Sequence, residues 1–163
     1  MPNWCDNAAT LTASKEKIDA LVAVLENKDD QQVFQHLRPR PESEEENWYE
    51  WNCNNWGTKW DASNITIEDS TKNSILLTFD TAWSPPQAWF DYMHDRGFYI
   101  EAMFIECGCD FIGCYIAGEY TSENFNDGTM NWDDDNFSEQ EDARIEKFMI
   151  KHGLDHSPSH TGG

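Results

Sequence analysis

Basic residues are scarce in this chain. Eleven lysines and arginines stand against 31 aspartates and glutamates, a formal charge of −20 over 163 residues. Each phosphate contact of a nucleic-acid binder needs a cation to displace counterions, so a chain without a basic stripe is a poor partner for DNA, RNA or anionic lipid. Long apolar runs are missing as well, and nothing approaches the roughly 18 residues that span a bilayer. The N-terminal MPNWCDNAATL has neither a basic n-region nor an apolar h-region, so a cytoplasmic protein is expected. Five cysteines, an odd number, fit reduced thiols better than a disulfide frame. There is no G-x-S-x-G, no H-E-x-x-H and no Gly-rich loop opening a helix, so no catalytic residue is assigned and no cofactor is expected.

What is present suffices for one domain, with 39% hydrophobic and 13% aromatic residues. Ala9, Leu11 and Ala13 alternate with Thr10 and Thr12, the period of a strand. After Ser14, a suitable N-cap, the period changes: Ile18, Leu21, Val22 and Leu25 mark one face of a helix ending near Asn27. Asn64 to Ile67 and Ile75 to Ala82 predict a hairpin around EDSTKN. Ser84-Pro85-Pro86 predicts a helix start with serine as the cap, and Gly97 the stop. Phe98 to Glu106 and Phe111 to Tyr120 predict a second hairpin around Cys107-Gly108-Cys109-Asp110. Ser138-Glu139-Gln140-Glu141 reads as a capping box opening a third helix over about 139–152, closed by Gly153.

The order is β-α-β-β-α-β with an extra final strand, which predicts an α+β, ferredoxin-like antiparallel sheet with both crossover helices on one face. Residues 1–121 form the expected core, with an aromatic-rich insertion at about 28–62 that lacks any sustained period. Residues 122–153 are expected to add an acidic segment and the third helix, and 154–163 a flexible tail.

Three separated stretches, MPNWCDN, NWGTKWDA at 55–62 and FDTAWSPP at 79–86, resemble the YubB-type ferredoxin-like proteins of phages and conjugative plasmids over roughly residues 1–120. The resemblance implies the same fold without iron or sulfur, on a small accessory protein of a mobile element, and it brings no catalytic residue.

Two features are candidates for function. The first is NWYEWNCNNWGTKW, residues 47–60, whose Trp48, Tyr49, Trp51, Trp56 and Trp60, joined by Trp4 and Trp83, could stack a base or sugar. The competing reading makes these rings glue that holds the long insertion on the sheet, with Asn and Thr satisfying indole and backbone groups. The second is a pair of carboxylate sets, one containing Glu44, Glu45 and Glu46, the other Glu123, Asp127, Asp133, Asp134 and Asp135. They predict contact with a basic protein surface, with DNA mimicry as one form; the bland reading is a solvated acidic face. No metal is expected: Cys107, Cys109 and Cys114 lack paired-knuckle spacing, His152, His156 and His160 fall where Gly153 and Pro158 break a helix, and Phe125 blocks an EF-hand frame set on Gly128.

Overall fold

A computed structural model describes residues 3–27, 32–106, 111–124 and 133–158. Six strands, β1 Trp4–Thr12, β2 Ser63–Ser70, β3 Ser74–Ala82, β4 Tyr99–Glu106, β5 Phe111–Ile116 and β6 Glu119–Asn124, form one sheet in the order β2-β3-β1-β4-β5-β6. Every neighbouring pair is antiparallel. The first four strands have the ferredoxin-like order, and β5 and β6 extend it on one side. The α+β expectation therefore holds, with one strand more than the sequence reading counted.

That extra strand comes from Phe111 to Tyr120, which is a hairpin instead of a single strand. Ala117 (φ 48°) and Gly118 (φ 96°) make the two-residue turn, a pair of positive φ values that matches the twist of the flanking strands.

Alternation sorts the side chains onto two faces. One face carries Ala9 and Leu11 of β1, Ile75, Leu77 and Phe79 of β3, and Ile100 and Ala102 of β4. Over it pack Ile18 and Leu21 of α1 (Lys15–Leu25) and Trp89, Phe90 and Met93 of α4 (Gln87–Asp95), so both crossover helices do share a face. The other face carries Met103, Ile105, Ile112 and Cys114 under Ile145 and Phe148 of α5 (Phe137–His152). The described residues thus form three layers, and among them α5 is the one helix on the second face.

The insertion has regular structure over its described residues, 32–62. It contains α2 (Val33–Leu37), a 3₁₀ turn at Glu42–Glu44 and α3 (Trp48–Asn55). Asp61 accepts the backbone N–H groups of Phe34 and Gln35 at 2.9 Å each, closing the start of α2 from 26 and 27 residues further along the chain.

Two caps differ from expectation. Ser84 does not cap α4; its hydroxyl donates to the carbonyl of Gly57 at 2.7 Å, and Pro86 holds the cap position. Ser138 lies inside α5, whose cap is Asn136, and Asp134 accepts from the Asn136 N–H (2.9 Å) and from Gln140 Nε2 (2.8 Å). Ser14 does cap α1, accepting from Lys17 N–H, and Gly153 ends α5 in the left-handed region. Leu154 packs on the α5 cluster and Pro158 is buried, while residues 159–163 of the expected tail lie outside the described residues.

Glu123 of β6 ties α5 to the sheet, meeting Lys151 at 2.5 Å and Arg144 at 3.7 Å. The Lys151 bond, with the two cations beside it, holds the Glu123 carboxyl below its usual value. Stability from this carboxylate is present above the normal glutamate range and lost as pH falls through the lowered value. Because Lys151 is largely exposed, Glu123→Gln is expected to lower stability by no more than about 1 kcal/mol, an effect that 1 M salt removes in urea unfolding.

Candidate interaction surface

The three sequence stretches quoted above meet at one end of the sheet, where β1 starts and β3 finishes. Trp4 pairs with Ala82, and the Trp83 N–H donates to the carbonyl of Asn3 at 2.8 Å. Buried Asn7 donates through Nδ2 to the carbonyls of Cys5 (3.0 Å) and Phe79 (3.3 Å) and to the Thr81 hydroxyl (3.0 Å). Thr81 in turn donates to the Ser84 carbonyl at 2.6 Å, and Ser84 donates to Gly57. Thr58, also buried, donates to Ala82. Gly57 sits at φ 88°, and a Cβ there would come 2.8 Å from the Gln87 nitrogen, so the start of α4 can approach only a glycine.

This frame divides the aromatic cluster. Trp56 is 3% exposed, in contact with Phe34 (ring centroids 5.9 Å apart) and edge-on to Trp51 at 5.5 Å. Its indole N–H donates to the Arg38 carbonyl at 3.1 Å. Asn52 is buried too, accepting from Arg40 Nη1 (2.9 Å) and donating to the Lys59 carbonyl (2.8 Å). Trp51, Trp56 and Asn52 thus pack the insertion against the body. Trp48, Tyr49, Trp60 and Trp83 are 37%, 55%, 38% and 46% exposed.

Trp48, Tyr49 and Trp60 follow one another in space. Trp48 is edge-on to Tyr49 at 5.9 Å; the Lys59 ammonium lies 5.7 Å from the Tyr49 ring and 4.7 Å from the Trp60 ring; Trp60 is 6.2 Å from Trp4. Glu45, Glu46 and Glu50 are exposed on the same turn and helix as Trp48 and Tyr49, while Glu44 is half-buried. Glu45 is 3.7 Å from Arg40. The result is a row of π-faces bordered by carboxylates, with an ammonium already placed between two of them.

The second carboxylate set lies elsewhere. The insertion belongs to the face covered by α1 and α4, whereas Asp133, Asp134 and Asp135 lead into α5 on the opposite face. Within it Glu123 is bound to Lys151 and Arg144, Asp134 closes the start of α5, and Asp133 and Asp135 are exposed. Asp127 lies outside the described residues. The two sets therefore belong to opposite faces of the sheet.

A carboxyl pair that the sequence reading did not single out sits at this end of the sheet. Asp6 and Asp80 are cross-strand partners on the α5 face, in mutual hydrogen bond, and Asn64 Nδ2 donates to Asp80 at 3.0 Å. Burial, then the bond to Asp80 and its charge, push the Asp6 carboxyl up to about 7; Glu141 and Glu106 add to the effect. The signal was present, since both residues lie inside the quoted stretches, but only the register makes them neighbours.

The cysteines among the described residues do not converge. Cys5 is buried on the α1/α4 face and Cys114 on the α5 face, and Cys53 is exposed on α3. Burial, with Asp6 and Glu106 nearby, pushes the Cys5 thiol well up, which opposes thiolate chemistry. Cys107 and Cys109 lie outside the described residues, among which no group of three or more His, Cys, Asp or Glu could hold a metal ion. Among them, too, no helix is long and apolar enough to cross a membrane.

No protein-family model and no curated protein matches the chain. Among solved structures, a crystal structure of protein api92 from Yersinia pseudotuberculosis, assigned to the family DUF1281, is similar at 22% identity and a TM-score of 0.37. The match covers 50% of this chain and 31% of the other.

Proposed function

We propose that this protein binds a cationic surface on a partner protein, using the edge formed by Trp48, Tyr49 and Trp60 with Glu45, Glu46 and Glu50. The observation that carries this reading is the continuous exposed aromatic row beside unburied carboxylates. Exposed aromatic area of this kind marks contact surfaces, and arginine and lysine are the side chains that both π-faces and carboxylates attract. Lys59, seated between Tyr49 and Trp60, is an internal example of the guest such rings accept. Net charge adds steering toward a basic partner and repels polyanions.

The site in a basic protein that suits such an edge is one made for nucleic acid, so DNA mimicry is the specific form we propose, consistent with an accessory role on a phage or plasmid. Because the carboxylate sets occupy opposite faces, the edge on α3 is assigned as the contact and Asp133, Asp134 and Asp135 as a secondary, long-range contribution. A reducing cytoplasm suits the free Cys5, Cys53 and Cys114.

Affinity purification from a host lysate at low salt is expected to retain a nucleic-acid-binding protein. Replacing Glu45, Glu46 and Glu50 with lysine is expected to weaken that complex by about a hundredfold or more, mainly through the association rate and with a reduced salt dependence. Binding that survives the triple reversal unchanged contradicts the assignment.

A second reading is favoured by Trp4 and Trp60, 6.2 Å apart. They could receive a neutral aromatic ligand such as a nucleoside, worth roughly 1–3 kcal/mol per stacked base. Quenching of tryptophan fluorescence by nucleosides, lost in Trp60→Ala, distinguishes this reading from the first.

A further inference from the structure

A second charged feature stands apart from the aromatic edge. Helix α4 begins beside Gly57 and ends at the opposite end of the sheet, where Tyr99 opposes Thr12. On its last turns the Tyr92 ring meets two guanidinium groups, Arg96 at 3.6 Å and Arg38 at 4.7 Å from the ring centroid.

The arrangement is held from several sides. The Tyr92 hydroxyl donates to the Leu37 carbonyl at 3.0 Å, Arg38 Nη1 donates to Asn55 at 2.9 Å, and the Arg38 carbonyl accepts the Trp56 indole. Lys17 Nζ donates to the Arg96 backbone carbonyl, which fixes the main chain at the end of α4. Tyr92 and Arg38 are half-buried, and Arg96 is exposed.

Carboxylates are nearly three times as numerous as cations in this protein, and Lys15, Arg40, Arg144 and Lys151 each have one within 4 Å. Among the described residues neither Arg38 nor Arg96 has such a partner. Asp91, the acid next to Tyr92, accepts the Tyr115 hydroxyl at 2.7 Å instead, and Asp95 forms no ion pair with Arg96. Two guanidinium groups on one ring, left without an acid, repel each other, and a bound oxyanion removes that cost.

We infer that Arg38 and Arg96, which share the Tyr92 ring, form an anion site for a phosphate monoester or free phosphate. Their central carbons can be no farther apart than the sum of the two ring distances, so an oxyanion at the edge of the Tyr92 ring lies near both guanidinium groups. Planar donor forks suit phosphate oxygens, and two guanidinium charges match a phosphate dianion better than a single carboxylate. The surrounding negative field confines the site to small anions and keeps nucleic-acid strands away.

The test is titration of the full chain with inorganic phosphate and, separately, with O-phosphoserine, at ionic strength held constant with chloride, following the arginine side-chain N–H signals by NMR. Saturable shifts at Arg38 and Arg96, weakened about tenfold or more in Arg96→Gln while its melting temperature is unchanged, are expected. Tighter binding of O-phosphoserine identifies an esterified phosphate as the ligand, and tighter binding of inorganic phosphate identifies the free anion. Absence of saturable shifts with both, or equal affinity in Arg96→Gln, overturns the proposal.

Discussion

Trp56→Ala is expected to lower the unfolding free energy by about 3–5 kcal/mol, while Trp60→Ala changes it by less than about 1 kcal/mol. The two tryptophans are four residues apart in the same stretch, and the difference comes from what each touches. Trp56 is buried against Phe34 and Trp51, and its N–H has a carbonyl partner, so truncation opens a cavity and leaves the Arg38 carbonyl without its donor. The Trp56 carbonyl also accepts the Trp89 N–H at 3.1 Å, so the backbone at this position joins the insertion to α4. Trp60 is half-exposed beside Trp4 and Lys59 and leaves no cavity when removed. Urea unfolding of both variants checks this; equal losses would mean that the row is packing throughout and would remove the aromatic half of the proposed contact.

Asp6→Asn is expected to stabilise the protein at pH 8 and to flatten its stability between pH 5 and 8. The Asp6 carboxyl is raised from 3.8 to about 7, chiefly by burial and then by Asp80. Below pH 4 folded and unfolded chains both hold the proton and no penalty exists. As pH rises toward 7 the unfolded chain releases the proton more readily, so stability declines and the full penalty is reached above 7. A shift of this size corresponds to about 4 kcal/mol at full weight, and partial solvent access reduces it to roughly 2 kcal/mol. Asparagine keeps a hydrogen-bonding group beside Asp80 and carries no charge. A rise in melting temperature of about 4–8 °C at pH 8, shrinking toward pH 5, is the predicted result; parallel pH profiles for the two proteins would show that the pair is not coupled.

Local signals located most of the sheet and its two crossover helices. α1 and α4 show apolar spacing bounded by Ser14 and Gly97, and β1 and β3 alternate, so each could be placed without knowing its neighbours. The elements that escaped depend on distant partners. α3 has no apolar stripe, and Trp48–Asn55 is helical because Asn52 and Trp51 are bound from Arg40, Lys59 and Trp56. α2 needs Asp61 from beyond α3. The β5–β6 turn was missed because Ala117-Gly118 lacks the Asn-Gly or Asp-Gly signature that such turns usually show. In the candidate surface, residue type marked the tryptophans and glutamates, but type cannot say that Trp56 faces in and Trp60 out. Nor can it tell that Glu123 is spent on Lys151 and Arg144, or that Asp6 opposes Asp80.

The central claim is that the exposed edge at Trp48, Tyr49, Trp60, Glu45, Glu46 and Glu50 selects cations and refuses polyanions. Its most direct test is calorimetry of the full chain, at about 0.15 M salt, against an arginine- and lysine-rich peptide and against a DNA duplex. The account predicts saturable, salt-sensitive binding of the peptide, reduced by Trp60→Ala, and no heat from the duplex. Duplex binding as tight as, or tighter than, the peptide would contradict it.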